Sequence, residues 1–256
     1  MNTKLKELYS AINHQIHGFY ACAVLSVYAL GWIAYNYNNP LLLFLLFLAV
    51  EIAGIHISIF VHRAWTHKAW KPTRILNLYG LFMYTIFFVA SSLCFAAIHR
   101  KHHRYADTPQ DPHSPYFMSF YQVVIKPMYK LDLSYIPDLL KDKDQLFFHK
   151  YYWQVNILVW TILCLLGPSY VAFWFAFLGA VNFKLRLINY TAHQHPSKKG
   201  ASNSLPWAFF FLEGEAWHAN HHESPSSWNF SRAWWQFDPG AWTIKLLVAL
   251  RLGKLK

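Results

Sequence analysis

The sequence predicts an all-α integral membrane protein: four transmembrane helices in two hairpins, with a helical cytoplasmic cap that holds a histidine-rich metal site. Three observations carry that prediction. The chain of 256 residues is 55% apolar and 19% aromatic but only 14% charged, whereas about a quarter of a soluble domain is charged. Its 23 Lys and Arg residues almost entirely avoid the apolar segments and their turns. Nine of its 15 histidines fall in tight groups, each at the end of a long apolar segment.

Four segments, residues 19–37, 40–60, 152–166 and 168–187, reach or approach the length that crosses a core of about 30 Å at about 1.5 Å per residue. Asn38 and Asn39 separate the first two, and Gly167, Pro168 and Ser169 separate the last two, so each pair closes through a short uncharged turn. The cations stand before, between and after these hairpins, apart from Lys184 and Arg186 near the inner end of the last segment, where snorkelling is expected. The positive-inside rule then places both termini, residues 61–151 and residues 189–256 in the cytoplasm, as one domain spanning 1–256.

A fifth apolar stretch, residues 75–98, is long enough to cross. Crossing would put His62 and His67 on the opposite side from His99, His102 and His103, and one site would not collect them. Asn77, Thr85, Ser91 and Ser92 also make it less apolar than the others. It is therefore expected to be a helix packed beneath the cap or dipping into the interface. Pro109, Pro112, Pro115, Pro127 and Pro137 break 105–140 into turns and short helices, and the remainder reads as helical.

The net charge of +11 follows the membrane flanks and forms no single basic face with interleaved aromatics, so a nucleic-acid partner is not expected. Cys22, Cys94 and Cys164 lie inside apolar stretches without motif spacing and read as small buried hydrophobes. Residues 1–17 lack the apolar core and cleavage site of a signal peptide, and the whole chain is read as the mature protein.

The histidines are arranged as His62-x4-His67, His99-x2-His102-His103, His193 and His218-x2-His221-His222. On a helix turning about 100° per residue, positions i, i+3 and i+4 share one face, so each H-x2-H-H triplet presents three imidazoles together. His62 and His67 stand about 140° apart on an ideal helix and converge only if the helix ends or distorts between them. Imidazole suits zinc, iron, copper or nickel, and one ion rarely takes more than six ligands. Nine histidines thus imply two ions.

Asp107, Asp111 and Glu215 lie beside these groups and are expected to take the second N–H of the ligating rings. His14, His17, His113, His149 and His195 read as solvated or structural. Glu51 and His56 lie within the second segment, where an ionisable residue is a functional candidate unless the two satisfy each other or a neighbouring polar helix.

With these motifs in place the sequence resembles the membrane fatty acid desaturases, most closely the stearoyl-CoA (delta-9) type, from about Tyr20 to Phe230. The likeness rests on His62-Arg-Ala-Trp-Thr-His67, His99-Arg-Lys-His-His103 followed by Asp111-Pro-His113, Asn189-Tyr-Thr-Ala-His193, and Glu215-Ala-Trp-His-Ala-Asn-His-His222. The four-residue gap in the first box favours this type over lipid-linked delta-12 enzymes and alkane hydroxylases.

The resemblance implies a mushroom-like fold and two iron ions. One would take His62, His67, His99, His103 and His221; the other would take His102, His193, His218 and His222, with Asn189 reaching it through water. It also implies dioxygen as co-substrate and a cis double bond introduced into a fatty acyl thioester or acyl lipid. Ala97-Ile98 stands where animal acyl-CoA enzymes carry a charged pair near the CoA, so CoA, acyl carrier protein and a membrane lipid all stay open as carriers. No haem-binding or flavin-binding domain is visible in the sequence, so electrons are expected from a separate cytochrome b5-like protein or ferredoxin.

Two other classes use the same residues. A hydroxylase, ketolase or terminal-alkene-forming enzyme differs in substrate pose, and its product would carry oxygen or a terminal alkene. A zinc-binding membrane receptor or transporter would hold zinc and consume no oxygen.

Overall fold

The computed structural model describes residues 22–37, 39–125, 131–194, 203–205 and 213–256. His14, His17, His195 and the start of the first apolar segment lie outside the described residues. Helix α1 (Cys22–Asn36) precedes α2 (Pro40–His56), which runs directly into a π-helix over Ile57–Thr66. After strand β1 (Trp70–Pro72) come α3 (Arg74–Ile86) and α4 (Ser92–Tyr105). Beyond a stretch of turns lie α5 (Lys143–Lys150), α6 (Tyr152–Leu166) and α7 (Pro168–Thr191). The chain ends with α8 (His218–Glu223), α9 (Pro239–Ala249) and β2 (Gly253–Leu255).

Both hairpin turns are written in local chemistry. Asn39 caps α2 by accepting the Leu41 N–H at 2.9 Å, and Pro40 starts the helix where its missing N–H is harmless. Gly167 takes φ +126° and hands over to Pro168 in the same way. Across the bundle, Ser26 on α1 donates to the Phe175 carbonyl of α7 at 2.7 Å. A Cβ on Gly179 would stand 2.4 Å from the Ser26 Cβ, so glycine is what lets these two helices touch.

Two helices are long and apolar enough to cross a membrane, Pro40–Thr66 and Pro168–Thr191, while Cys22–Asn36 and Tyr152–Leu166 are apolar but shorter. Leu41, Phe44 and Ile52 on α2 and Ile157, Leu158 and Leu165 on α6 are exposed on the outside of the bundle, an arrangement that lipid favours and water opposes. Of the three cysteines, Cys22 and Cys94 are buried, but Cys164 is exposed, because its stretch of α6 faces outward.

The 75–98 stretch is two helices and not one. The break falls between α3 and α4, where Phe88 (φ 57°) and Ala90 (φ 70°) adopt left-handed backbone, a conformation that costs energy without glycine and needs support from its surroundings. That support comes from α5 and α6. Ser91 Oγ bonds His149 Nδ1 at 2.6 Å, Ser92 Oγ donates to Gln145 Oε1, Asn156 Nδ2 donates to the Thr85 carbonyl at 3.1 Å, and the Ala90 N–H reaches the Tyr152 hydroxyl at 3.3 Å. Two of the polar residues that made the stretch unlike a span, Ser91 and Ser92, thus hold its bend, while Asn77 accepts from Trp65 and the Thr85 hydroxyl bonds within α3. His149 is buried, in a structural role.

Lys184 does not snorkel. Its Nζ is buried between Glu51 Oε2 at 2.7 Å and Glu213 Oε2 at 2.9 Å, since the α2 carboxylate offers a nearer partner than water. Glu51 and His56 consequently do not satisfy each other: His56 Nε2 bonds the Gly80 carbonyl at 3.1 Å. A second departure from an all-helical reading is the antiparallel ribbon pairing Trp70 with Leu255 and Pro72 with Gly253, which ties the C-terminus beside the first histidine pair.

Candidate metal centre

The first box sits on the π-helix. In this helix the N–H bonds the carbonyl five residues back, and the His67 N–H reaches the His62 carbonyl at 3.0 Å while Thr66 Oγ1 reaches the Val61 carbonyl at 2.7 Å. Residues five apart become neighbours one turn apart, and the His62 and His67 rings stand 4.9 Å between centroids. The distortion anticipated from their spacing is a wider helix, not a helix end.

Two arginines hold this segment. Arg63, fully buried, meets both oxygens of Asp238 at 2.9 and 3.0 Å, donates to the carbonyls of Glu213 and Trp228 at 2.9 and 2.8 Å, and lies 3.8 Å over the Phe230 ring. Arg100 on α4 donates to the carbonyls of Trp65 and Thr66, at 3.0 and 2.8 Å, and to the carboxylate of Asp138. Sequence reading passed over Arg63, Arg100, Asp138 and Asp238. The available signal was a cation directly after the first histidine of a buried box, in a segment that otherwise repels charge.

The nine box histidines come together in two groups. His62, His67, His99, His103 and His221 form one and His102, His193, His218 and His222 the other, each with one nitrogen per ring within 4.8 Å of all the rest. Helix α4 supplies His99, His102 and His103, α8 supplies His218, His221 and His222, and His193 follows the end of α7. The groups adjoin, with His103 stacked on His222 at 4.3 Å.

Carboxylates hold three rings from behind. Glu215 Oε1 lies 2.8 Å from His62 Nδ1 and also accepts from Ser58 Oγ at 2.6 Å. Asp111 takes His102 Nδ1 at 3.0 Å on both oxygens, together with the backbone N–H groups of Asp107 and His113. Asp107 lies 3.2 Å from His193 Nδ1. These pairings differ from sequence adjacency: Glu215 serves His62 and not the nearby His218, and Asp107 serves His193 and not His103. A 3₁₀ turn over Glu215–Trp217 and the left-handed Asp107 (φ 57°) redirect the two side chains. Burial raises the Glu215 carboxyl, but the His62, Arg63 and Ser58 contacts outweigh it and leave it below the ordinary value.

The donor set fits metal ions. An ionised carboxylate only accepts, so His62, His102 and His193 carry their proton on Nδ1 and turn a bare Nε2 lone pair inward. Those nitrogens face other Nε2 atoms: His62 to His221 at 3.0 Å, His102 to His222 at 3.3 Å and His193 to His218 at 3.0 Å. His67 Nε2 is buried with no hydrogen-bond partner among the described residues. Burial, then the proximity of the other rings, holds His67, His99, His102, His103, His218, His221 and His222 well below the ordinary histidine pKa. Neutral imidazoles converging in a water-poor space could hold a cation. His113 is buried as well, its ring 4.1 Å from that of His102, so it packs behind the centre and is not solvated.

A cavity of about 140 Å³ meets the centre at His62, His99 and His218 and extends between α2, α4 and α7. Ile57, Val89, Phe95, Ile98, Leu185 and Ile188 make most of its wall apolar, and Asn189 lines it beside the histidines. Phe95 is the one Phe, Tyr or Trp among the described lining residues. The aromatic-rich helices instead build the core, as Phe88 stacked on Tyr152 does at 5.4 Å.

The model of one family, fatty acid desaturases, matches residues 38–249. Similar proteins include the Delta-9 desaturase-like 5 protein of Arabidopsis thaliana, 28% identical over 91% of this chain and 82% of the relative. A hex-5-enoyl-[acyl-carrier protein] acetylenase of Moorena producens is 26% identical over 77% and 75% of the two chains. An sn-1 stearoyl-lipid 9-desaturase of Synechocystis is 25% identical over 81% and 69%.

Proposed function

The chain belongs to the fatty acid desaturase family, and from that premise we propose that it is an oxygen-dependent delta-9-type acyl desaturase with a di-iron centre. The observation that carries the reading is the pair of adjoining histidine groups, five and four, that share one end of an apolar cavity. His62, His67, His99, His103 and His221 would hold one iron. His102, His193, His218 and His222 would hold the other, with Asn189 acting through a water. Iron in that site supplies the oxidising power to remove hydrogen from an unactivated methylene, using dioxygen.

Two hydrogens leave adjacent methylenes and a cis double bond forms. With two electrons and two protons from outside, dioxygen leaves as two waters. The chain itself positions and excludes. An unactivated methylene offers no charge to recognise, so selectivity rests on which carbon the cavity wall sets against the metals. Ile57, Phe95, Ile98 and Ile188 keep water from that segment, while Glu215, Asp111 and Asp107 fix the rings through Nδ1.

In this reading α1, α2, α6 and α7 span the bilayer and the centre faces the cytoplasm, where a cytochrome b5-like protein or ferredoxin docks on basic surface. The acyl carrier is a thioester or a membrane lipid. Relatives named for an acyl-carrier-protein substrate and for a stearoyl-lipid substrate mark both routes, and the uncharged Ile98 at the cavity wall suits a carrier other than CoA.

Lipid profiling of a host expressing the wild type or His102→Ala tests the proposal, with products separated into thioester and glycerolipid pools. A new monoene in the wild type alone is the expected result. An oxygenated product without a new double bond would make the protein a hydroxylase, and purified protein holding zinc with no oxygen uptake would remove the redox reading altogether.

A further inference from the structure

The cavity wall is mostly apolar, and polar residues line it again at the end away from the histidines. Gly54 lies about two turns before His62 and Asn182 about two turns before Asn189, and both line the cavity with Glu213. Behind them Lys184 bridges Glu51 and Glu213, all three buried. An ion triad where a hydrocarbon chain would run is costly, and in a membrane segment an ionisable residue marks a functional position.

Two oxygens at this end are unused among the described residues. Glu213 Oε2 holds Lys184, but Glu213 Oε1 has no hydrogen-bond partner; Asn182 Nδ2 donates to the Leu178 carbonyl at 2.9 Å, but Asn182 Oδ1 has none. The two residues are 1% and 5% exposed, so bulk water does not serve them. A Cβ on Gly54 would stand 3.0 Å from both Glu213 carboxylate oxygens, so glycine there is what lets the carboxylate lie against α2. Burial, opposed by Lys184, pushes the Glu213 carboxyl up to about 7.

We propose that this end of the cavity receives a hydroxyl group carried by the acyl chain, with Asn182 and Glu213 as the residues that recognise it. The inference rests on the desaturase reading, because it names the substrate class of the same site. A hydroxyl has one proton to give and two lone pairs. It donates that proton to the acceptor-only Asn182 Oδ1, and a lone pair accepts from Glu213 when that carboxyl is protonated. A plain methyl terminus leaves both oxygens unpaired, and a site built to bind a substrate hydroxyl discriminates strongly against the analogue that lacks one.

The test uses the full chain, both in a host fed deuterated saturated acids of graded length, plain or terminally hydroxylated, and purified in lipid nanodiscs for equilibrium retention of the same acids by native mass spectrometry. At the best length the hydroxylated chain is expected to be desaturated and retained at least about tenfold better than its plain counterpart. Asn182→Leu should collapse that ratio, chiefly through KM, whereas Glu213→Gln, which keeps a donor, should retain most of it. Equal handling of the two chains, a preference for the plain one, or a ratio unmoved by Asn182→Leu overturns the inference and leaves the desaturase reading standing. Absence of a double bond in every chain sinks the desaturase reading, and the retention ratio then still decides whether this end selects a hydroxyl. Should Asn182→Leu fail to fold, the wild-type ratio alone decides.

Discussion

Glu215 Oε1 stands 2.8 Å from His62 Nδ1, across 153 residues of sequence. This contact ties the last histidine box to the first and turns the Nε2 lone pair of His62 towards His221. Replacing the carboxylate by Glu215→Gln keeps the shape and an accepting oxygen but removes the charge that favours a cation-binding ring. Iron affinity should fall by about 10- to 100-fold with the helical content unchanged, as read by metal analysis after graded chelation beside circular dichroism. Full iron retention would show that the ring needs no anionic partner.

Arg63 and Asp238 are both fully shielded from solvent and meet through two hydrogen bonds. The same carboxylate accepts the N–H groups of Phe230 and Ala241, at 2.8 and 2.9 Å. Asp238→Ala strands a buried guanidinium and should destabilise the fold by about 3–5 kcal/mol. The double change Arg63→Met with Asp238→Leu removes both charges and should be milder. Thermal unfolding in detergent compares the two, and a double variant worse than the single one would refute the argument.

Much of this arrangement is legible in the sequence, and the illegible part has a common cause. Spacing of three and four reveals that His99, His102 and His103 share a face, because a helix imposes it locally. The five-residue gap from His62 to His67 signals a distortion. Its form is a π-helix whose last carbonyls, those of Trp65 and Thr66, are taken by Arg100 from the distant α4. Carboxylate pairing is non-local: Asp107 lies closer in sequence to His103 than to His193, yet it is the His193 ring that it holds. The break at Phe88 and Ala90 is invisible because neither residue is a glycine, and its support sits on α5 and α6. Lys184 reads as a snorkelling cation until Glu51 and Glu213 are seen on either side of it.

Gly80 gives a third test, on the packing of α3 against the π-helix. A Cβ there would come within 2.7 Å of the Phe60 ring, and the Gly80 carbonyl also accepts from His56. Overpacking of this kind costs about 1–3 kcal/mol. Gly80→Ala should lower the unfolding midpoint and loosen metal retention together, because Phe60 belongs to the helix that carries His62. Adding Phe60→Leu should restore part of both, and an unaltered midpoint for the single variant would mean the ring moves aside freely.

The last prediction concerns pH. Seven box histidines have pKa values held well below the ordinary 6.5, first by burial and then by one another. Between the depressed folded value and 6.5 the unfolded chain binds more protons than the folded one, so stability rises with pH across that window. It is fully present above about 6.5 and is lost as pH falls below it. Protons also compete with metal for the same nitrogens, but only at the lower pH at which the folded rings take them up. The unfolding midpoint should be level from pH 7 to 8 and decline below about 6.5, whereas iron affinity should hold until the pH reaches the lower range in which the folded rings themselves take protons. An unfolding midpoint that held level down to pH 5 would contradict a centre built from buried, neutral imidazoles.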